Sequence, residues 1–252
     1  MINLLVENGE PMLDTNSTTA SNLLACVAAG KRAAAVSKTI PEKVKGSDTR
    51  ITLCEAAFLL AYWQENKWGE PHGAVSKEIF QDVLLVMEQH AAQWEDEFTG
   101  LLKYEEGGLQ VFSPDGQAIW GWMLERVAAL GETLQWEVVD WVNRLELLVY
   151  ECNAQLWDET EACYIAKSEA WVPIALPGEA RKWMPLWAGF PDQDQAEEML
   201  VKLETSLKNE AFCADFFAHP DRVLLVIDGM RQYEMHAMAD SLEARCKSIV
   251  GV

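Results

Sequence analysis

Apolar residues return every three or four positions along most of the chain, the spacing that gives an α-helix one buried face. A first helix is predicted over 17–36, capped by Asn16 or Ser17 and running through Leu23, Leu24, Val27 and Ala28. A polar connector over 37–48 carries Pro41 and Gly46. Residues 49–66 read as a helix buried on nearly every side, since Ile51, Leu53, Ala56, Ala57, Leu59, Leu60 and Trp63 leave little polar face. It stops at Trp68, Gly69, Glu70 and Pro71. The most regular amphipathic stretch is 76–98, with Ile79, Val83, Val86 or Met87, His90 and Trp94 on its inward stripe. The acidic run Glu95, Asp96 and Glu97 has the wrong sign for a helix C-terminus, which predicts fraying or a basic neighbour there.

Residues 100–116 are rich in glycine and predict a loop with a short strand at 109–112. Helices follow over 117–130 and 136–157, the second with Val139, Val142, Leu145, Leu148 or Val149, and Cys152 along one stripe. The helical period lapses over 158–184 into turns and short extended pieces. Asp192 then caps a helix over 193–207, with Ala196, Met199, Leu200 and Leu203 inward. The apolar run 223–227 fits strand or helix, and a helix over 230–249 closes the chain. Seven or eight helices with almost no strand alternation predict an all-α fold.

Composition narrows the function classes. The formal net charge of −20 repels phosphate backbones and anionic bilayers, so neither nucleic acid nor membrane is an expected partner. No apolar run approaches the roughly 20 residues that span a bilayer. The six cysteines are scattered without a CxxC, and no signal peptide is read at the N-terminus, so a reducing, cytoplasmic location is expected. The four histidines lack metal-ligand spacing, and His90 fits a core position. No phosphate loop, dinucleotide fingerprint or nucleophile elbow occurs; no metal and no cofactor are expected.

Two segments carry a resemblance: NAQLWDETEACY over 153–164 and MPLWAGFPDQDQAEEML over 184–200. In order and spacing they are similar to the trehalase and processing α-glucosidase kind of (α/α) toroid glycosidase. There a long helix ends in a turn of pattern lWdee.gfy, and a loop leads to lPLwAGia..eqA..lv..L. The resemblance covers about residues 104–207. It implies a helical array resembling part of an (α/α)6 toroid, a single all-α domain over 1–252 with 217–252 as a candidate C-terminal extension. A whole toroid of twelve helices needs on the order of 350 residues, so the ring is expected to be incomplete. A homo-oligomer or a partner subunit would then complete it.

The resemblance also implies a chemistry. Glycoside hydrolysis takes one carboxyl to protonate the leaving oxygen and another to activate water. Relatives carry the acid in a loop of pattern EnGmDnSPrwD, and the corresponding stretch here is YEEGGLQVFSPD over 104–115. Glu, Gly and Ser-Pro are present, yet the spacing is about two residues longer, and the acid's own position falls on Leu109 or Gln110. Glu106 and Asp115 are the candidate catalytic carboxyls, while the late base of the relatives has no counterpart. Trp120, Trp183 and Trp187 are the candidate platforms for a small saccharide. The expected activity is hydrolysis or binding of a small α-glucoside or oligosaccharide, with inversion implied by the resemblance alone. The alternative is a non-enzymatic helical scaffold or interaction protein that has lost the catalytic carboxylates.

Overall fold

The computed structural model describes residues 19–36, 51–66 and 75–250, excepting the side chains of 249 and 250. The expected caps Asn16 and Ser17, the connector over 37–48 and the stop over 68–71 lie outside them. Among the described residues the fold is an all-α array of ten helices with six short strands. Two compact units divide the chain, Met1–Glu95 with Met123–Val142 and Asp96–Trp122 with Asn143–Val252.

In the first unit, α1 (Ala20–Val36) packs on α2 (Leu53–Glu65). The two come close because Gly30 has no side chain: a Cβ there would collide with the Phe58 carbonyl and lie 2.9 Å from Ala61 Cβ. One turn away the Cys26 and Cys54 thiols share a hydrogen bond. The start of α2 is fixed by a capping box. Thr52 Oγ1 accepts from the Glu55 N–H at 3.2 Å, and Glu55 Oε2 accepts from the Thr52 N–H at 2.6 Å. Every residue from Leu53 to Trp63 except Glu55 is buried, as its nearly unbroken apolar pattern predicts. Helix α3 (Lys77–Trp94) is capped by Ser76 and buries Phe80, Val83, Met87, His90 and Ala91. The inward stripe thus includes Phe80 in place of Ile79, and its ring meets Trp136 edge-on at 5.5 Å.

In the second unit Asp96 opens a turn in place of the predicted last turn of α3. Its Oδ1 accepts from the Phe98 and Thr99 N–H groups, and Lys103 is the basic neighbour at 3.7 Å. Strands β1 (Tyr104–Glu106) and β2 (Leu109–Phe112) form a hairpin over Gly107 and Gly108, whose φ values of 60° and 81° suit glycine in a tight turn. With β5 (Ala166–Ser168) and β6 (Pro173–Ile174) they make an antiparallel sheet ordered β1-β2-β5-β6. Helix α4 (Pro114–Thr133) begins three residues before the predicted start. Proline suits the first helical position, where no N–H partner is needed, and Ser113 Oγ accepts from the Gly116 N–H at 3.2 Å.

Helix α5 (Val139–Glu151) gives way to a π-turn, Cys152–Leu156, before β3 (Trp157–Asp158) pairs with β4 (Cys163–Tyr164). Its predicted stripe holds only in part: Leu148 and Cys152 are buried, but Val139 is 58% exposed in the first turn. Asp158 Oδ1 accepts two backbone N–H bonds that close the turn, and the Tyr164 ring returns edge-on to Trp157 at 5.4 Å. The one-turn α6 (Met184–Trp187) buries Leu186 and Trp187. Helix α7 (Gln193–Ser206) begins in a capping box between Asp192 and Gln195, with the four expected residues inward. Helix α8 (Glu210–Phe216), capped by Asn209, lies between the predicted helices. The closing region is two helices, α9 (Pro220–Gln232) and α10 (His236–Val250), because Glu234 takes a left-handed φ of 61° between them. The apolar run at 223–227 is helical. Gly229 lets α9 approach α6, since a Cβ there would lie 2.5 Å from the Trp187 nitrogen.

Candidate active site

The β1–β2 hairpin and the start of α4 are bolted together by polar bonds. Leu102 donates its N–H to Gln117 Oε1 at 3.0 Å and accepts from Gln117 Nε2 at 2.6 Å. The buried Tyr104 hydroxyl donates to the Gly116 carbonyl at 3.0 Å, and burial pushes its ionisation well above the ordinary tyrosine range. A side chain at Gly116 would strike the Tyr104 ring. This frame sets Glu106 at the end of β1 and Asp115 in the first turn of α4, where the helix dipole favours a negative charge.

Two arginines arrive from far along the chain. Arg181 lies on a 3-10 turn, Glu179–Trp183, which starts at Gly178 with φ 87°. Asp215 holds that turn by accepting from the Gly178 and Glu179 N–H groups at 3.1 and 2.8 Å. Arg222 lies in the first turn of α9, where a cation opposes the dipole and needs a counter-charge. That counter-charge is Asp115, whose Oδ2 accepts from Arg222 Nε at 3.0 Å and lies 2.9 Å from Nη2.

Arg181 Nη1 sits between the two carboxyls, 3.6 Å from Asp115 Oδ1 and 3.5 Å from Glu106 Oε1. Both distances exceed a normal hydrogen bond. Among the described residues, Arg181 Nε and Nη1, Asp115 Oδ1 and Glu106 Oε1 have no hydrogen-bond partner. Asp115 is fully buried and the Arg181 side chain 4% exposed, whereas Glu106 keeps 19% of its side chain open. His219 lies against Gly178, and burial together with the charges of Arg222 and Arg181 holds its imidazole below its usual range. A hydroxyl group both donates and accepts, so one placed here would serve the guanidinium and either carboxylate at once.

The structure therefore brings Glu106 and Asp115 together, with a guanidinium between them. A pair sharing one guanidinium does not straddle a sugar, and of the two only Glu106 reaches the surface. Asp115 does not cap α4; Ser113 does. The three tryptophans lie in the core: Trp120 is 0%, Trp183 2% and Trp187 5% exposed. Trp187 stacks on Trp122 at 5.4 Å, and Trp183 meets Phe212 edge-on at 5.6 Å while its Nε1 donates to the Met199 carbonyl. In this conformation their rings offer no open face to a saccharide. Leu109 and Gln110, at the relatives' acid position, are exposed on β2 and carry no carboxyl. Arg181, Arg222, Asp215 and His219 had no motif to mark them. No group of three or more metal-ligating side chains forms among the described residues.

The described chain has the architecture of the (α/α) toroid glycoside hydrolases. The GH63 mannosylglycerate hydrolase of Thermus thermophilus, solved with glucose, aligns at TM-score 0.66 and 15% identity over 92% of this chain and 88% of that one. The same enzyme in complex with Tris gives 0.63 and 16% over 75% of this chain and 66% of that one. A rhamnosidase from Klebsiella oxytoca with rhamnose bound gives 0.55 and 14% over 96% of this chain and 49% of that one, so this chain spans about half its length. No protein-family model matches the sequence, and no curated protein matches it. The toroid likeness read from residues 104–207 is thus met at the level of fold.

Proposed function

We propose that this is a carbohydrate-active protein of the toroid glycosidase kind, which binds or hydrolyses a small α-glucoside or related oligosaccharide, with Glu106 as its candidate acid. The observation that carries this is the Glu106–Arg181–Asp115–Arg222 cluster, a set of buried, partly unpartnered polar atoms. It lies in the stretch whose sequence resembles these glycosidases. The fold likeness to enzymes solved with glucose and with rhamnose supports the same class of ligand. Glu106 is the carboxyl within reach of a bound sugar and takes the proton-transfer role. Asp115 acts through Arg181, fixing the guanidinium that holds a sugar hydroxyl beside Glu106, and Arg222 keeps Asp115 in place. Six free, buried thiols suit a reducing cytoplasm, and among the described residues no helix is long and apolar enough to cross a membrane.

The test is hydrolysis of α- and β-linked disaccharides and aryl glycosides by the wild type and by Glu106→Gln, with saccharide binding followed by calorimetry. Turnover in the wild type and its loss in the variant, with binding retained, is the expected result. A folded wild-type protein that neither turns over nor binds any of the panel would overturn the proposal and leave the scaffold role.

A further inference from the structure

Helix α7 borders two concavities, each of about 760 Å³. One lies against α10, with Leu200 and Leu242, both 3% exposed, on its floor beside the half-buried Met235 and Met238. The other is lined by α7 together with Glu159 and Ala162 of the turn between β3 and β4. Glu197 and Val201 line both, so the exposed crest of α7, with Val201 66% exposed, separates the two and forms one rim of the groove against α10. The α7 side of the groove against α10 runs from Glu197 to Leu207, on the order of 15 Å at the rise of an α-helix. That is the length of a short helical peptide rather than of one small ligand.

Charge along the groove is one-sided. Glu197, Glu204 and Glu234 line it. Its one strong cation is already engaged. Arg245 lies 5.1 Å from the Phe217 ring centre and donates to the Leu207 carbonyl at 3.5 Å. Among the described residues the carboxylates of Glu204 and Glu234 have neither an ion pair nor a hydrogen bond.

We propose that the α7 groove docks a basic amphipathic helix of a partner protein. Its apolar face covers Leu200, Val201, Met235 and Met238, and its lysines or arginines lie along Glu197, Glu204 and Glu234. Apolar burial supplies the attraction, the unbranched methionines adapt to the incoming side chains, and the carboxylates select a positive partner.

The probe is a labelled, end-blocked peptide of about 14 residues, built from Leu, Ala and Lys with one apolar face. A scrambled peptide of the same composition is its control. Binding to the full chain is followed by anisotropy near physiological ionic strength. The amphipathic peptide is expected to bind roughly tenfold more tightly than the scramble. Val201→Asp and the double variant Glu204→Gln/Glu234→Gln are each expected to weaken it about as much. Glu88→Gln/Glu146→Gln, which removes the same charge elsewhere, should leave binding within about twofold. The groove variants alter exposed side chains, and circular dichroism verifies their fold. Equal binding of the scramble, or equal loss in the distant variant, would reduce the effect to net charge and overturn the proposal. So would sedimentation showing that a second copy fills the groove, a dimer that Val201→Asp dissociates.

Discussion

The α1–α2 pair of the first unit and the Asp115 cluster of the second solve burial in opposite ways. Between α1 and α2 the contact surface is apolar side chains, a glycine and two thiols. Each large apolar side chain so buried contributes roughly 1.5–3 kcal/mol and makes no directional demand. In the second unit Asp115, Arg181 and Arg222 are buried as charges, a costly arrangement that holds only when each finds its partner. Apolar packing of the first kind stabilises without offering chemistry. A buried charge whose bonds are incomplete retains a capacity to bind, and here such atoms occur on Arg181, Asp115 and Glu106.

The contrast breaks most sharply at Asp115. Asp115→Asn removes the carboxylate that pairs with the buried Arg222 and is expected to cost about 3–5 kcal/mol in urea unfolding. A loss below about 1 kcal/mol would show that the pair behaves as a hydrated surface bridge.

The first unit has its own titrating group. Burial holds His90 down to about 4, against 6.5 for an unperturbed imidazole. Between those values the unfolded chain binds more protons than the folded one. Stability is therefore full above pH 6.5, falls as the pH drops through the window, and levels off below the folded value, a loss of about 3 kcal/mol. His90→Gln should flatten that part of the stability profile; an unchanged slope would place its origin elsewhere.

Gly30→Ala pushes a methyl group into the Phe58 carbonyl and should cost about 1–3 kcal/mol. It tests how closely α1 and α2 approach, and a neutral melt would mean the helices separate without penalty. The smallest effect is expected from Thr52→Ala, which removes the cap of α2 for about 1 kcal/mol. Replacement by serine should restore the loss.

What was legible in the sequence was what is decided within a few residues. Asp192 and Gln195 announce the start of α7, and the apolar run from Leu53 to Trp63 announces its own burial. The turn at Trp157 and Asp158 follows from the toroid-like motif. The glycine-rich pattern over 100–116 hides the start of α4, because Ser-Pro-Asp suits a loop as well as a first helical turn. Glu106 and Asp115 were singled out, but the guanidinium between them was not. Arg181 lies 75 and 66 positions further along, and nothing in the local pattern of an arginine says which carboxylate it will meet. The tryptophans were ambiguous for the same reason, since a core ring and a sugar platform share one side chain and only the tertiary neighbours tell them apart.

The bond between Asp115 and Arg222 joins residues 107 positions apart. At the pace of a ribosome the second emerges roughly 5–20 s after the first. Until Arg181 and then Arg222 emerge, the first turn of α4 carries a carboxylate without either guanidinium, and water must keep hold of it. The second unit is thus barred from closing prematurely around half of its charges, and the arrival of α9 is the event that lets the nascent chain expel water from the site.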